Sequence, residues 1–291
     1  MEARRYILYH ALASPVLITW YALPFYLMKV GYGVLEVGAL FTAADLLSVP
    51  ITVLLGRGFR RVDLRLGLAA IDLMEAVSLA LFSMAYGPLA PLLVLAGQLV
   101  DEASSVLYFL YPAYERIVYP EERFKEAMLW HMAVPELSVV LTYPALGYVL
   151  GRICGAPSCL RQAFAAFAVY QLLLIPYTLL ALRPVVIEGE RGDQGQGEGK
   201  REGGRRELWR RYGVYVVADV LFVLGWSLAP SLAMVYLVME RFGGDMLHVA
   251  LVEASISLAS LASLPLADRI PSRSSFRALQ GATLVTTAGL L

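Results

Sequence analysis

Asparagine is absent from all 291 residues, and lysine is scarce beside arginine. Missing Asn fits a hot-living source, because its amide is thermolabile, and GC-rich codon usage leaves the same trace. Cysteine occurs twice, at 154 and 159, which excludes a disulfide-rich scaffold and a four-cysteine zinc site. The spacing in RICGAPSC suits a small bridge or two free thiols equally. The formal net charge is zero, so no basic surface points to nucleic acid. Long polar runs are almost lacking. The chain is 58% hydrophobic with a mean hydropathy of +0.63, too apolar for an ordinary soluble domain of this length.

The one long polar run is Arg183 to Arg211. Its Gly, Glu, Arg and Gln cannot bury enough apolar surface to offset ordering, so it reads as a flexible linker. Eight apolar segments, near 5–28, 33–55, 66–86, 89–112, 126–150, 162–182, 212–238 and 246–266, are long enough to cross a bilayer. A ninth begins near Phe276 and runs to Leu291 with no stop signal, so the chain reads as cut within a ninth helix. In lipid each segment must satisfy its own backbone hydrogen bonds, so all are expected to be helices.

With the N-terminus in the cytoplasm, 20 of the 24 basic residues fall in inside loops. That asymmetry is the positive-inside pattern of a multi-pass protein, here assigned to the cell membrane, and it puts the cysteine loop outside. The chain also repeats itself weakly. Arg4-Arg5-Tyr6, Tyr9, Trp20 and Pro24 recur as Arg210-Arg211-Tyr212, Tyr215, Trp226 and Pro230, every pair 206 positions apart. The reading is a six-helix half over 1–182, a cytoplasmic linker over 183–211, and the start of a like-oriented half over 212–291.

This organisation resembles the major facilitator superfamily, whose two six-helix bundles are joined by a cytoplasmic linker. Leu266-Ala267-Asp268-Arg269 and Arg273 resemble its signature turn between helices 8 and 9. Gly58, Arg60 and Arg61 resemble the copy between helices 2 and 3, where the Asp is missing. Tyr119-Pro120-Glu121-Glu122-Arg123 is similar to the family's turn between helices 4 and 5. Pro144, Gly147 and Gly151 partly resemble the Gly- and Pro-rich pattern of many exporters, without its opening Gly, and so imply efflux. The resemblance implies that helices 1, 2, 4, 5, 7 and 8 line a cavity, with helices 3 and 6 peripheral. Asp268, Arg269 and Arg273 with Gly58, Arg60 and Arg61 then form a cytoplasmic latch or, equally, a basic anchor.

Between their ends the spans hold no Lys or Arg, but nine acids: Glu36, Asp45, Asp72, Glu75, Asp101, Glu102, Glu136, Asp219 and Glu253. Ionisable groups at membrane depth are costly and mark ion pathways by default. The foremost pathway candidates are Asp101 and Asp45, then Glu136 and Asp219, with Glu102 beside Asp101. Hydrogen-bonded helix packing is the other role for each. Glu36 and Asp72 are placed near span ends, reaching headgroups or water. Trp20 and Trp226 either face an organic solute or pack in the core. Tyr86, Tyr111, Tyr114, Tyr119 and Tyr212 are assigned to the interfacial aromatic belts. His10 and His131 are read as hydrogen-bond partners between helices. The one-signed inventory favours a cationic or neutral, amphipathic solute, with protons or another cation as coupling ion. There is no metal-ligand spacing, no cofactor motif and no nucleophile with a base, so the chain is expected to be no enzyme and to need no cofactor. A truncated or degenerate membrane component without transport, a sensor or assembly subunit, is the alternative.

Overall fold

The computed structural model describes residues 1–58, 63–186 and 231–269, together with Gly213. Helix α1 is Glu2–Val30, α3 is Leu64–Met84, α4 is Gly87–Val118, α5 is Glu121–Ile153 and α6 is Pro157–Ala181. Helix α2 is Val34–Gly58, and α8 is Met246–Arg269. Between them α7 comprises Ser231–Tyr236 and a wider turn, Leu237–Arg241. The described chain is all-α apart from one isolated bridge, Asp63 to Val186. Among the described residues six helices (α1, α3, α4, α5, α6 and the Met246–Pro265 part of α8) are long and apolar enough to cross a membrane. Large apolar side chains stand bare on their outer faces: Leu92, Leu141, Leu173 and Leu180 are each more than 60% exposed. Water would penalise such surfaces, and hydrocarbon would not.

Local chemistry sets the helix ends. Gly31, at φ 107°, stops α1 in the left-handed region where a side chain would be strained. Two residues later the Gly33 amide donates to Glu36 Oε2 at 2.7 Å and starts α2. Asp63 caps α3 by accepting from the Arg65 amide at 3.0 Å. Pro15 breaks α1 into a tighter turn over Ser14–Ile18. A proline has no N–H for the carbonyl four residues back. Ser138 of α5 fills that gap, its hydroxyl donating to the Ala11 carbonyl at 2.7 Å, and Tyr170 of α6 donates to Leu12 at 2.8 Å. The kink is therefore tied to two neighbouring helices.

The closest helix pairs are α3 with α6 and α5 with α8, followed by α3 with α4 and α2 with α4. One apolar core gathers Leu23, Phe25, Phe82 and Phe164 with Leu232, Val235, Met246 and Val249. It joins α1–α6 to α7 and α8 at the end that holds the cysteines, which form a disulfide. The second core, around Tyr6, Leu68, Leu110 and Tyr114 at the arginine-rich end, is built from α1, α3, α4, α5 and the residues just after α6.

The Asp268–Arg269 pair closes α8, and Gly58 closes α2. Arg60, Arg61, Arg273, Asp219, Trp226, Tyr212 and the proposed ninth segment lie outside the described residues. So does the linker beyond Val186. Its first residues are held rather than free: the Val185 amide donates to Asp63 Oδ1 at 3.0 Å, and its carbonyl accepts from Leu64 at 2.7 Å. Composition marked the run as polar, and hydrogen bonds to the partly buried start of α3 are what its backbone finds.

Candidate functional site

Asp72 and Glu75 are three residues apart on α3, so both face one side of the helix. Asp72 is fully buried. It accepts from Tyr9 Oη of α1 at 2.7 Å, Thr178 Oγ1 of α6 at 2.9 Å and Gln171 Nε2 of α6 at 3.2 Å. The same Gln171 nitrogen donates to Glu75 Oε2 at 2.6 Å, and Tyr108 of α4 donates to Glu75 Oε1 at 2.9 Å. Asp101 of α4 lies close enough to Glu75 and Glu102 for their charges to act on one another. Glu102 in turn lies close to Asp45 of α2. The acids thus form a row from exposed Asp45, through half-buried Glu102, Asp101 and Glu75, to sealed Asp72. No Lys or Arg forms an ion pair with any of them among the described residues.

Asp101, Glu102 and Asp45, named one by one from the sequence, lie close together. Asp72 does not reach headgroups or water. Among the described acids it is the most buried, because α1 and α6 both turn hydroxyl or amide donors onto it. Helices α3 and α6, peripheral by the resemblance, carry Asp72 and Glu75, and Gln171 and Thr178, of this network. Glu136 lies apart on α5, near Glu253 of α8. Glu253 accepts from Tyr21 Oη of α1 at 2.6 Å and links α8 to α1. Trp20 is 45% exposed and so is no core residue.

A second polar group lies at the arginine-rich end. His10, Glu115 and His131, from α1, α4 and α5, bring one ligand-type atom each within 4.8 Å of one another. Tyr119 Oη and His131 Nδ1 are 2.7 Å apart, and Tyr6 Oη is 3.5 Å from Glu115 Oε1. Sequence reasoning ended the fourth span at 112 and left Glu115 in a loop, whereas α4 runs on to Val118. Tyr114 and Tyr119 are buried here, not in an aromatic belt, since their hydroxyls bond to the Arg183 carbonyl and to His131. Tyr86, 65% exposed, fits the belt.

The disulfide end has its own clamp. Arg152 Nε lies 2.8 Å from Asp245 Oδ2, and Asp245 Oδ1 accepts from the Leu247 amide and pairs with His248 at 2.8 Å. Partial burial pushes the Asp245 carboxyl up, but the His248 hydrogen bond and the Arg152 charge outweigh it and hold it below the usual carboxylate range. A group depressed in the folded state stabilises above its unfolded value of about 4 and loses that contribution as pH falls through its lower folded value. Thermal unfolding of wild type and Asp245→Asn is therefore expected to differ by a constant amount at neutral pH. The gap should close below about pH 4; a gap that persists there would contradict the clamp.

No protein-family model matches this chain, and no curated protein matches it.

Proposed function

We propose that this protein is a secondary active transporter working by alternating access on a major-facilitator-like scaffold. It is proton-coupled and moves a small cationic or neutral, amphipathic solute, in the direction of export. The observation that carries this reading is the row of carboxyls from Asp45 to Asp72 with no basic partner among the described residues. A stepwise rise in burial along linked acids suits a path that accepts protons at one end and passes them inward. The exposed end admits a cation, and an anion meets only like charge. The meeting of α1–α6 with α7 and α8 at the disulfide end supports rocking of one bundle on another, with the N-terminus and arginine-rich loops in the cytoplasm of a cell-membrane protein. The solute site lies between the bundles, where Glu136, Glu253 and exposed Trp20 belong.

Proton flux in proteoliposomes tests it. Asp101→Asn and Asp45→Asn are each expected to cut solute-driven flux by about 100-fold, the scale of losing a positioned proton-transfer group. Unchanged flux in both variants, or a preference for anions, removes the reading. Saturation of Asp72 by three donors favours a second reading, in which the network only fastens helices in a non-transporting membrane component. A folded wild type that carries no proton flux with any cationic solute supports that one.

A further inference from the structure

The geometry points to a binding site for a divalent first-row transition-metal ion, of the zinc class, at His10, Glu115 and His131. Two imidazoles and a carboxylate are a zinc-type donor set, and sequence spacing hid them because they come from three helices. Around a tetrahedral ion with bonds of about 2.1 Å, ligand atoms sit roughly 3.4 Å apart. His131 Nε2 and Glu115 Oε1 are 3.6 Å apart, so this edge needs almost no adjustment.

The surroundings prepare each ligand. Tyr119 Oη occupies His131 Nδ1, which fixes the ring and leaves Nε2 for an ion. His10 Nε2 is buried and has no hydrogen-bond partner among the described residues. An unmet ring nitrogen at this depth is costly. A His131–Glu115 pair alone leaves it unmet, whereas a shared cation satisfies all three groups. The Glu115 and His131 side chains keep 10% and 16% exposure, an entry path from the arginine-rich end. Imidazole donors argue against calcium and magnesium, and the bridged cysteines offer no thiolate for copper(I). The fourth position is left for water. This site does not depend on the transport reading.

Zn²⁺ alone is the probe, added to the purified full chain in detergent. One ion per chain is expected to survive dialysis, and X-ray absorption should show two imidazoles and no sulfur. His10→Ala and His131→Ala should each weaken binding at least about tenfold, and Tyr119→Phe, which keeps every ligand, by about tenfold. His248→Ala removes the exposed histidine beside Asp245 and should change nothing. Gel filtration separates a lost site from a lost fold, and the absorption spectrum needs no variant. A folded wild type that holds no ion, a spectrum without imidazole, affinity unchanged by His10→Ala and His131→Ala, or loss with His248→Ala would each overturn the assignment.

Discussion

Replacing Asp72 by Ala is expected to cost the fold roughly 2–6 kcal/mol, taking three bonds between helices at about 0.6–2 kcal/mol each. The loss arises from what remains. Tyr9, Thr178 and Gln171 would keep their donors in a sealed space with nothing to accept them. Gln171 Oε1 is already buried without a hydrogen-bond partner among the described residues, so the amide has little freedom to compensate. Asp72→Asn keeps an acceptor of the same shape, and hydroxyls can turn to accept from its NH₂ group, so about 1 kcal/mol is expected. Denaturant titration of the micelle-bound protein measures both. Asp45→Ala, at an exposed position, is the reference. Equal losses at positions 45 and 72 would show that burial of the network does not govern stability.

The second large effect is expected where α5 meets α8. A side chain at Gly147 would place its first carbon 2.4 Å from Ala250 Cβ and 3.1 Å from the Leu247 Cα. At Gly151 the same carbon falls 2.8 Å from the Leu247 amide nitrogen. The two backbones approach because nothing stands between them, as small residues allow in membrane helices. Gly147→Leu should drive the helices apart at a cost of about 1–3 kcal/mol. Backbone hydrogen exchange over Met246–Glu253 should then rise by at least about tenfold, the factor equivalent to 1.4 kcal/mol. Protection in α3 and α6 should hold. Gly147→Ala should be partly rescued by Ala250→Gly, which removes the methyl it strikes. Rescue that fails, with Leu247 and Met246 unmoved, would locate the obstruction elsewhere.

The helices were legible because hydropathy and length together determine a span. Interiors free of Lys and Arg, and the arginines of the loops, marked the ends of the described helices to within about five residues, save at α4, where Tyr111 and Tyr114 made the chain look interfacial. The acids were legible as a set, but not in their order of burial. Asp72 lies near a span end by count, yet Tyr9 and Thr178 close over it from distant parts of the chain. The Asp72–Glu75 spacing was the one local signal for the network. Gln171 and Thr178 could not be recognised as its partners, since polar side chains on an apolar helix carry no label of what they face. The histidine group failed for a related reason. His10 is more than a hundred residues from Glu115 and His131, and only the crossing of α1 with α4 and α5 joins them.

The sulfur bridge at 154–159 has a practical consequence. Both cysteines of the chain are consumed in it, leaving no free thiol. A cysteine introduced at one position is then the sole target for a maleimide, without first building a cysteine-less background. Impermeant and permeant reagents applied to such single-thiol versions would report, loop by loop, which ends of α1–α6 meet which side of a sealed vesicle.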